Sequence, residues 1–274
     1  MERVGRLSFR AGCLVAVLVA GLACCADVAL ADNTPLPPNL RTLRPGELQL
    51  NHRPNGHDVL RFSNSVVNRG AGPLELAPHG TKGDDDCHGD GPVDINGDNV
   101  PDDNDQLVDQ VIYADTNDSG AFDRDDGEVE RQPAGCRYYH PAHHHWHYDD
   151  FAKYQLDPLA GGASVTAARK ISFCLVDTIH PALAGSPIDS YYTGSGCDDQ
   201  LGVTGISVGW GDIYVYALPG QRLNVTGVAP GDYCLLSTAD PDGKLLESND
   251  GDNSRGVAVH VDPSAGKLSR LGPC

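Results

Sequence analysis

Residues 140–151 read HPAHHHWHYDDF and hold five of the chain's 11 histidines. His143, His145 and His147 sit two apart. In an extended strand, residues i, i+2 and i+4 project from one face. The spacing therefore predicts a strand on which three imidazoles converge and hold one borderline transition-metal ion. His140 and His144 fall out of that register and are expected to point elsewhere, or to serve as spares. Trp146, Tyr148 and Phe151 make the tract too apolar for a loosely chelating solvated run. Imidazole alone does not separate copper from zinc or iron. No His-Glu-x-x-His pattern accompanies it, which argues against a zinc hydrolase.

A second chemistry lies upstream. Asp94, Asn96, Asp98, Asp102 and Asp105 occupy positions 1, 3, 5, 9 and 12 of one loop. Asp115, Asn117, Ser119, Asp123 and Asp126 repeat that spacing 21 residues later. Calcium is a hard cation that takes about six to eight oxygen ligands, and a tight turn at position 6 folds alternate side chains inward. Asn99 and Gly120 stand at that position. The competing reading is a solvated acidic loop; two copies at one spacing argue for calcium. The helices that flank a calcium sensor are missing, so these are expected to be structural calcium loops.

Charge follows the same geography. The chain has 38 Asp and Glu against 20 Lys and Arg, a net charge of −18. Residues 84–130 contain 17 of those acids and one Arg. Phosphate backbones would be repelled, so nucleic acid is not expected as a partner; divalent cations and cationic substrates are the natural complements.

The first residues carry Arg3, Arg6 and Arg10, then an apolar run too short to cross a bilayer, then Ala29-Leu30-Ala31. This reads as a signal peptide over residues 1–31, with cleavage before Cys24 as a lipoprotein the alternative. The protein is expected to be secreted or periplasmic, with no membrane span. Of nine cysteines, Cys13, Cys24 and Cys25 leave with the signal. Cys87, Cys136, Cys174, Cys197, Cys234 and Cys274 remain, and an even number in an exported chain predicts three disulfides whose pairing spacing does not fix. For an exported metal site, copper or zinc leads.

The elements that must position these residues read as short strands. VLRFSNSVVNRG (59–70), PLELAP (73–78), QVIYAD (110–115), KISFCLVDT (170–178), GDIYVYAL (211–218), GDYCLLSTADP (231–241) and GVAVHVDP (256–263) are bounded by Gly, Pro, Asn or Asp. Residues 32–58 read as an irregular lead-in and 79–110 as loop; 181–195 is the one place for a helical turn. No segment sustains a 3.6-residue period. The expected fold is all-β, a β-sandwich core with long irregular loops and an acidic insertion at about 84–130. Residues 32–274 are expected to form a single domain.

With those strands in place a resemblance is visible. HHHWHYDDFAKYQL (143–156) resembles the copper-binding segment of the lysyl oxidase family. ARKISFCLVDT (168–178), GISVGWGDIY (205–214) and VAPGDYCLLSTADPDGKLLESNDGDN (228–253) resemble three further segments of that family, in the same order. VLRFSNSVVNRGAGPLEL (59–76) resembles its opening strands. The resemblance implies a copper(II) amine oxidase whose lysine tyrosylquinone cofactor is built from Lys170 and Tyr214, with His143, His145 and His147 as copper ligands. It implies molecular oxygen and a primary amine, or a lysine-containing protein, as reactants. Asp212, two residues before Tyr214 and hence on the same strand face, is expected to be the catalytic base or to orient the quinone; Asp177 and Asp150 compete for the role. The chain departs from the family in its acidic insertion and near Trp210, where a family cysteine is replaced. The alternative is a non-catalytic secreted β-sandwich that binds copper and calcium but never forms the quinone.

Overall fold

The computed structural model describes residues 34–79, 87, 105–140, 143–181 and 183–274, and only the backbone of 169–172. Fifteen strands occur among them: β1 (Pro35–Leu36), β2 (Leu40–Thr42), β3 (Gly46–His52), β4 (Asp58–Asn68), β5 (Leu74–Pro78), β6 (Asp105–Ala114), β7 (Gly127–His140), β8 (His145–Pro158) and β9 (Thr166–Phe173), then β10 (Thr204–Ile206), β11 (Gly211–Tyr214), β12 (Arg222–Asn224), β13 (Gly231–Ala239), β14 (Ser254–Asp262) and β15 (Lys267–Pro273). One short helix, α1 (Ser195–Asp198), accompanies them. Among the described residues no helix is long and apolar enough to cross a membrane.

The strands form two antiparallel sheets. The larger runs β10-β5-β6-β7-β8-β13-β14-β15, with β1 added on β6 and β9 on β8. The smaller is organised around β4, which pairs with β2, β3, β11 and β12. β4 is central because its run of Val, Leu, Phe and Val is buried almost end to end, as a strand covered on both faces requires. Phe62, Val66 and Leu60 of β4 join Tyr154, Leu156, Leu235 and Val259 of the larger sheet in one apolar cluster. The expected all-β architecture is met as these two sheets over a common core.

Several boundaries differ from expectation. The lead-in over 32–58 carries β1, β2 and β3, strands too short or polar to announce themselves that form by pairing with β6 and β4. The loop expected over 79–110 gives way at Asp105, where β6 starts and runs alongside β7. β7 itself is a largely polar sequence whose strand character comes from that ladder, tertiary pairing overriding propensity. The strand expected over 211–218 stops at Tyr214, and the helix falls at Ser195–Asp198, at the far edge of 181–195.

All six cysteines expected in the exported chain are paired: Cys87–Cys136, Cys174–Cys197 and Cys234–Cys274. The signal segment lies outside the described residues.

Candidate metal centre and active-site cavity

The histidine tract forms the tip and rising strand of the β7–β8 hairpin. His145 and His147 alternate on β8, directly opposite His140 and Tyr138 of β7. Trp146, between them, faces the other way against Tyr139 and the buried guanidinium of Arg137. His143 is not on the strand. It sits in the turn, where its backbone N–H and that of His144 both donate to the carbonyl of His140 at 2.9 Å. The three imidazoles therefore converge by a route that differs from the expected one: two by strand alternation and one by a turn.

Their donor atoms all lie within 4.8 Å of one another. The His143 Nδ1 and His147 Nε2 atoms are 3.3 Å apart. His147 is buried, His145 half-buried and His143 exposed. Burial holds His145 below the usual imidazole range, which keeps a nitrogen lone pair available at neutral pH. An all-imidazole donor set of this spacing suits a borderline ion such as copper or zinc. Among the described residues no other group of three histidine, cysteine or acidic side chains is so gathered.

One of the two alternatives expected for His140 is overturned. It does not point elsewhere: its ring stacks on that of His143, 4.0 Å between centroids and 15° between planes, and it lines the same cavity. Its Nδ1 is buried without a hydrogen-bond partner among the described residues. His144 does behave as expected; it takes a positive φ of 58° in the turn and is exposed.

The cavity has a volume of about 650 Å³. Its walls bring His143, His145 and His147 together with Asp212 and Tyr214. The last two come from β11, where Asp212 lies opposite Val66 and Tyr214 opposite Asn64 of β4. Two apart on one strand, they share a face. The rest of the lining is mostly apolar: Val176, Ile213, Leu218 and Pro219.

Tyr214 is held on two sides. Its hydroxyl donates to the Cys174 carbonyl at 2.8 Å, and its ring meets Phe173 edge-on at 3.8 Å between centroids. Burial, then the Asp212 carboxylate beside it, pushes the phenol well above its ordinary range. Asp212 is 3% exposed and accepts from Thr178 Oγ1 at 2.9 Å. That contact depends on Gly211, whose carbonyl receives the Thr178 and Ile179 amides at 2.9 Å. A Cβ there would stand 2.7 Å from the Val67 side chain and 2.8 Å from the Val66 carbonyl, both of β4, and 3.2 Å from the Ile179 side chain, so the glycine lets β11 lie close against β4 with the 178–179 segment beside it.

The rival carboxylates are engaged elsewhere. Asp177 accepts from the backbone amides of Tyr191, Tyr192 and Ser207 and from the Ser207 hydroxyl; it ties that loop together and does not line the cavity. Asp150 lies 3.7 Å from Lys244, also away from it. Thr178, Phe173, the Cys174 carbonyl and His140 were missed as site components by the sequence reading. The first three sit in KISFCLVDT and His140 in the histidine tract, both segments already singled out for other residues. Lys170 occupies β9 opposite Ala152, three residues before Phe173; its side chain is outside the described residues.

A profile of the family described as lysyl oxidase matches residues 126–270, just over half of the chain. The chain belongs to the lysyl oxidase family. It is 30% identical over 131 residues to lysyl oxidase homolog 4 of Mus musculus, covering 46% of this chain and 16% of that protein. It is 32% identical over 127 residues to lysyl oxidase homolog 2 of Xenopus laevis, covering 45% of this chain and 15% of that one. Homolog 2 of Homo sapiens gives 30% over 131 residues, again 46% and 16%. The chain thus spans only a small part of these relatives. The lysyl oxidase match begins at Asp126, at the end of the second acidic loop.

That loop closes on itself. Asp115 accepts from the amides of Ser119 and Gly120 at 2.9 and 2.7 Å, and Asp126 from those of Thr116 and Asp123 at 3.0 and 2.9 Å. Asn117 donates to Asp123 at 2.9 Å. Arg124 anchors the loop, pairing with Glu75 at 3.2 Å and lying 3.3 Å over the Tyr191 ring. Of the first loop, Asp94, Asn96, Asp98 and Asp102 lie outside the described residues. Asp105 is buried at the start of β6, opposite Tyr138.

Proposed function

We propose that this chain is an exported copper-dependent amine oxidase of the lysyl oxidase type. It converts a primary amine, oxygen and water to an aldehyde, ammonia and hydrogen peroxide. The observation that carries the reading is the single cavity shared by the imidazole trio, Tyr214 and Asp212. When present, copper(II) on His143, His145 and His147 and a lysine tyrosylquinone made from Lys170 and Tyr214 would supply the oxygen chemistry and the electron acceptor.

The chain's own residues do the rest. Asp212 takes the proton from the carbon next to the amine nitrogen, as a positioned general base. Thr178 keeps that carboxylate from swinging away. Val176, Ile213 and Leu218 exclude water and favour the neutral, nucleophilic amine over the ammonium ion, because an apolar wall penalises the charged form. The acidic surface steers cationic amines toward the protein, so a peptidyl lysine or a small diamine fits as substrate. Support for Lys170 is positional: β9 delivers Phe173 onto the Tyr214 ring and carries Lys170 in the same strand.

Within the same proposal, residues 32–274 form one catalytic domain, released outside the cytoplasm after loss of residues 1–31. The three disulfides fit an oxidising compartment. The acidic loops are structural calcium sites, of Asp94, Asn96, Asp98, Asp102 and Asp105 in the first and Asp115, Asn117, Ser119, Asp123 and Asp126 in the second. Carboxylates that accept one or two amide protons keep further lone pairs for a cation.

Peroxide release from copper-loaded protein, measured against a panel of primary amines, tests the reading together with a quinone redox-cycling stain. Lys170→Ala and Tyr214→Phe are expected to lose both signals while staying folded. A signal that persists in either variant overturns the cofactor assignment. Copper-loaded protein that neither stains nor releases peroxide with any amine is the non-catalytic metal-binding alternative.

A further inference from the structure

A second, smaller pocket of about 220 Å³ lies where β3, β4 and β12 meet, and it is lined by Arg53, Asn55, His57, Val59, Arg222 and Asn224. Among the described residues no carboxylate lines it. This is unexpected in a chain with 38 acids and 20 Lys and Arg. Arg222 of β12 stands directly across the ladder from Arg61 of β4, a like-charge pairing that antiparallel sheets disfavour. Burial, and the charges of Arg53 and Arg61, pull Arg222 below its ordinary range. Arg61 spends its donors on the carbonyls of Tyr216, Ala217 and Leu218. Among the described residues, neither Arg53 nor Arg222 has an ion pair.

The two asparagines add an independent sign. The Asn55 side-chain oxygen accepts from the His57 amide at 3.3 Å. The Asn224 oxygen accepts from the amide and hydroxyl of Thr226 at 3.0 and 2.6 Å. What each carboxamide retains is its NH₂ group, a donor. Two guanidiniums, two amide NH₂ groups and an imidazole thus present donors with no competing charged acceptor among the described lining residues.

We propose that this pocket binds a small tetrahedral oxyanion, sulfate or phosphate, held between Arg53 and Arg222. Planar guanidiniums match such oxygens in pairs. The ligand is a small mobile ion and not a sulfated or phosphorylated polymer, because the field of the acidic chain opposes a polyanion. Arg61 and Arg222 flank the segment 216–221, and that segment supplies Leu218, Pro219 and Gly220 to the wall of the larger cavity. An anion that relieves the repulsion between these arginines therefore steadies that wall.

The test is a melting-temperature titration with sodium sulfate and sodium phosphate, at ionic strength held constant with sodium chloride, and a parallel arm with heparin. The wild-type protein is expected to show a saturable rise with sulfate or phosphate and none with heparin. Arg222→Gln removes one of two facing cations, so its melting temperature in chloride should equal or exceed that of the wild type. Its apparent affinity for sulfate should fall at least tenfold, and Arg53→Gln should lose affinity similarly. A non-saturable rise of equal slope in all three proteins is general salting-out and overturns the site. A saturable rise unchanged in both variants places the anion elsewhere, and a rise with heparin alone assigns the surface to a polyanion; either result also overturns the proposal.

Discussion

The Tyr214 hydroxyl donates to the backbone carbonyl of Cys174, and Cys174 is cross-linked to Cys197 in α1. The covalent staple therefore sets the position of an acceptor on the phenol implicated in chemistry. Replacing both cysteines by serine should destabilise the protein by about 3 kcal/mol, the magnitude usual for a closed loop of this size. Quinone staining should fall along with it. Urea unfolding of the double variant checks the first effect and staining of the folded fraction the second; an unchanged stain would mean that the staple does not position Tyr214.

Thr178 holds Asp212 from outside the strand that carries it. Thr178→Val keeps the shape and removes the donor, leaving a buried carboxylate short of one hydrogen bond, a penalty of roughly 1–3 kcal/mol. The turnover number on a primary amine should drop about tenfold or more, with copper content unchanged. Thr178→Ser should restore most of it.

Copper binding should separate the histidines. His145→Ala and His147→Ala are expected to lose stoichiometric copper, while His144→Ala, whose side chain is exposed in the turn, keeps it. His140→Ala should weaken affinity by roughly tenfold to a hundredfold, the range typical of residues that orient ligands. Equilibrium dialysis followed by metal analysis reads all four; full affinity in His140→Ala would show that the stack on His143 is incidental.

Glu247 gives a stability profile with a definite sign. Burial raises it to about 7 from 4.5, against hydrogen bonds from the Leu40 amide and Asn253. Between those two values the native protein keeps a proton that the unfolded chain has released. The contribution of this group therefore favours the fold fully below about pH 4.5 and is lost as pH rises through about 7. Glu247→Gln should flatten that part of the curve of melting temperature against pH.

Calcium should raise the melting temperature and a chelator should lower it, and Asp123→Ala should blunt the response. Asp123 is a suitable probe because its partners, Asn117 and the Asp125 amide, belong to the loop itself. A response of full size in that variant would remove the second loop from consideration.

Much of this site was legible in sequence because its pieces are periodic. The two-residue spacing of His145 and His147, and of Asp212 and Tyr214, survives folding because strand alternation is local. His143 and His140 were harder to place: a turn, not a pleat, aims the first, and a stack on that turn aims the second. Thr178 was invisible as a partner of Asp212, since the two lie 34 positions apart and meet only where a loop segment bonds to the Gly211 carbonyl. β1, β2, β3 and β7 were missed or misread for a related reason. Their residues have little strand preference of their own, and the partner strands that recruit them lie far along the chain. Of the calcium spacing, the sequence showed the repeat but not the way the second loop spends its oxygens on its own amides.

The hairpin that gathers the imidazoles spans residues close together in the chain, whereas the phenol arrives from β11 in the other sheet. Contacts of short loop length close early and distant ones late. A nascent chain can thus present the three gathered imidazoles before the tyrosine is delivered. In the proposed enzyme, loading with metal and maturation of the quinone become separable events, ordered by topology and open to arrest between them.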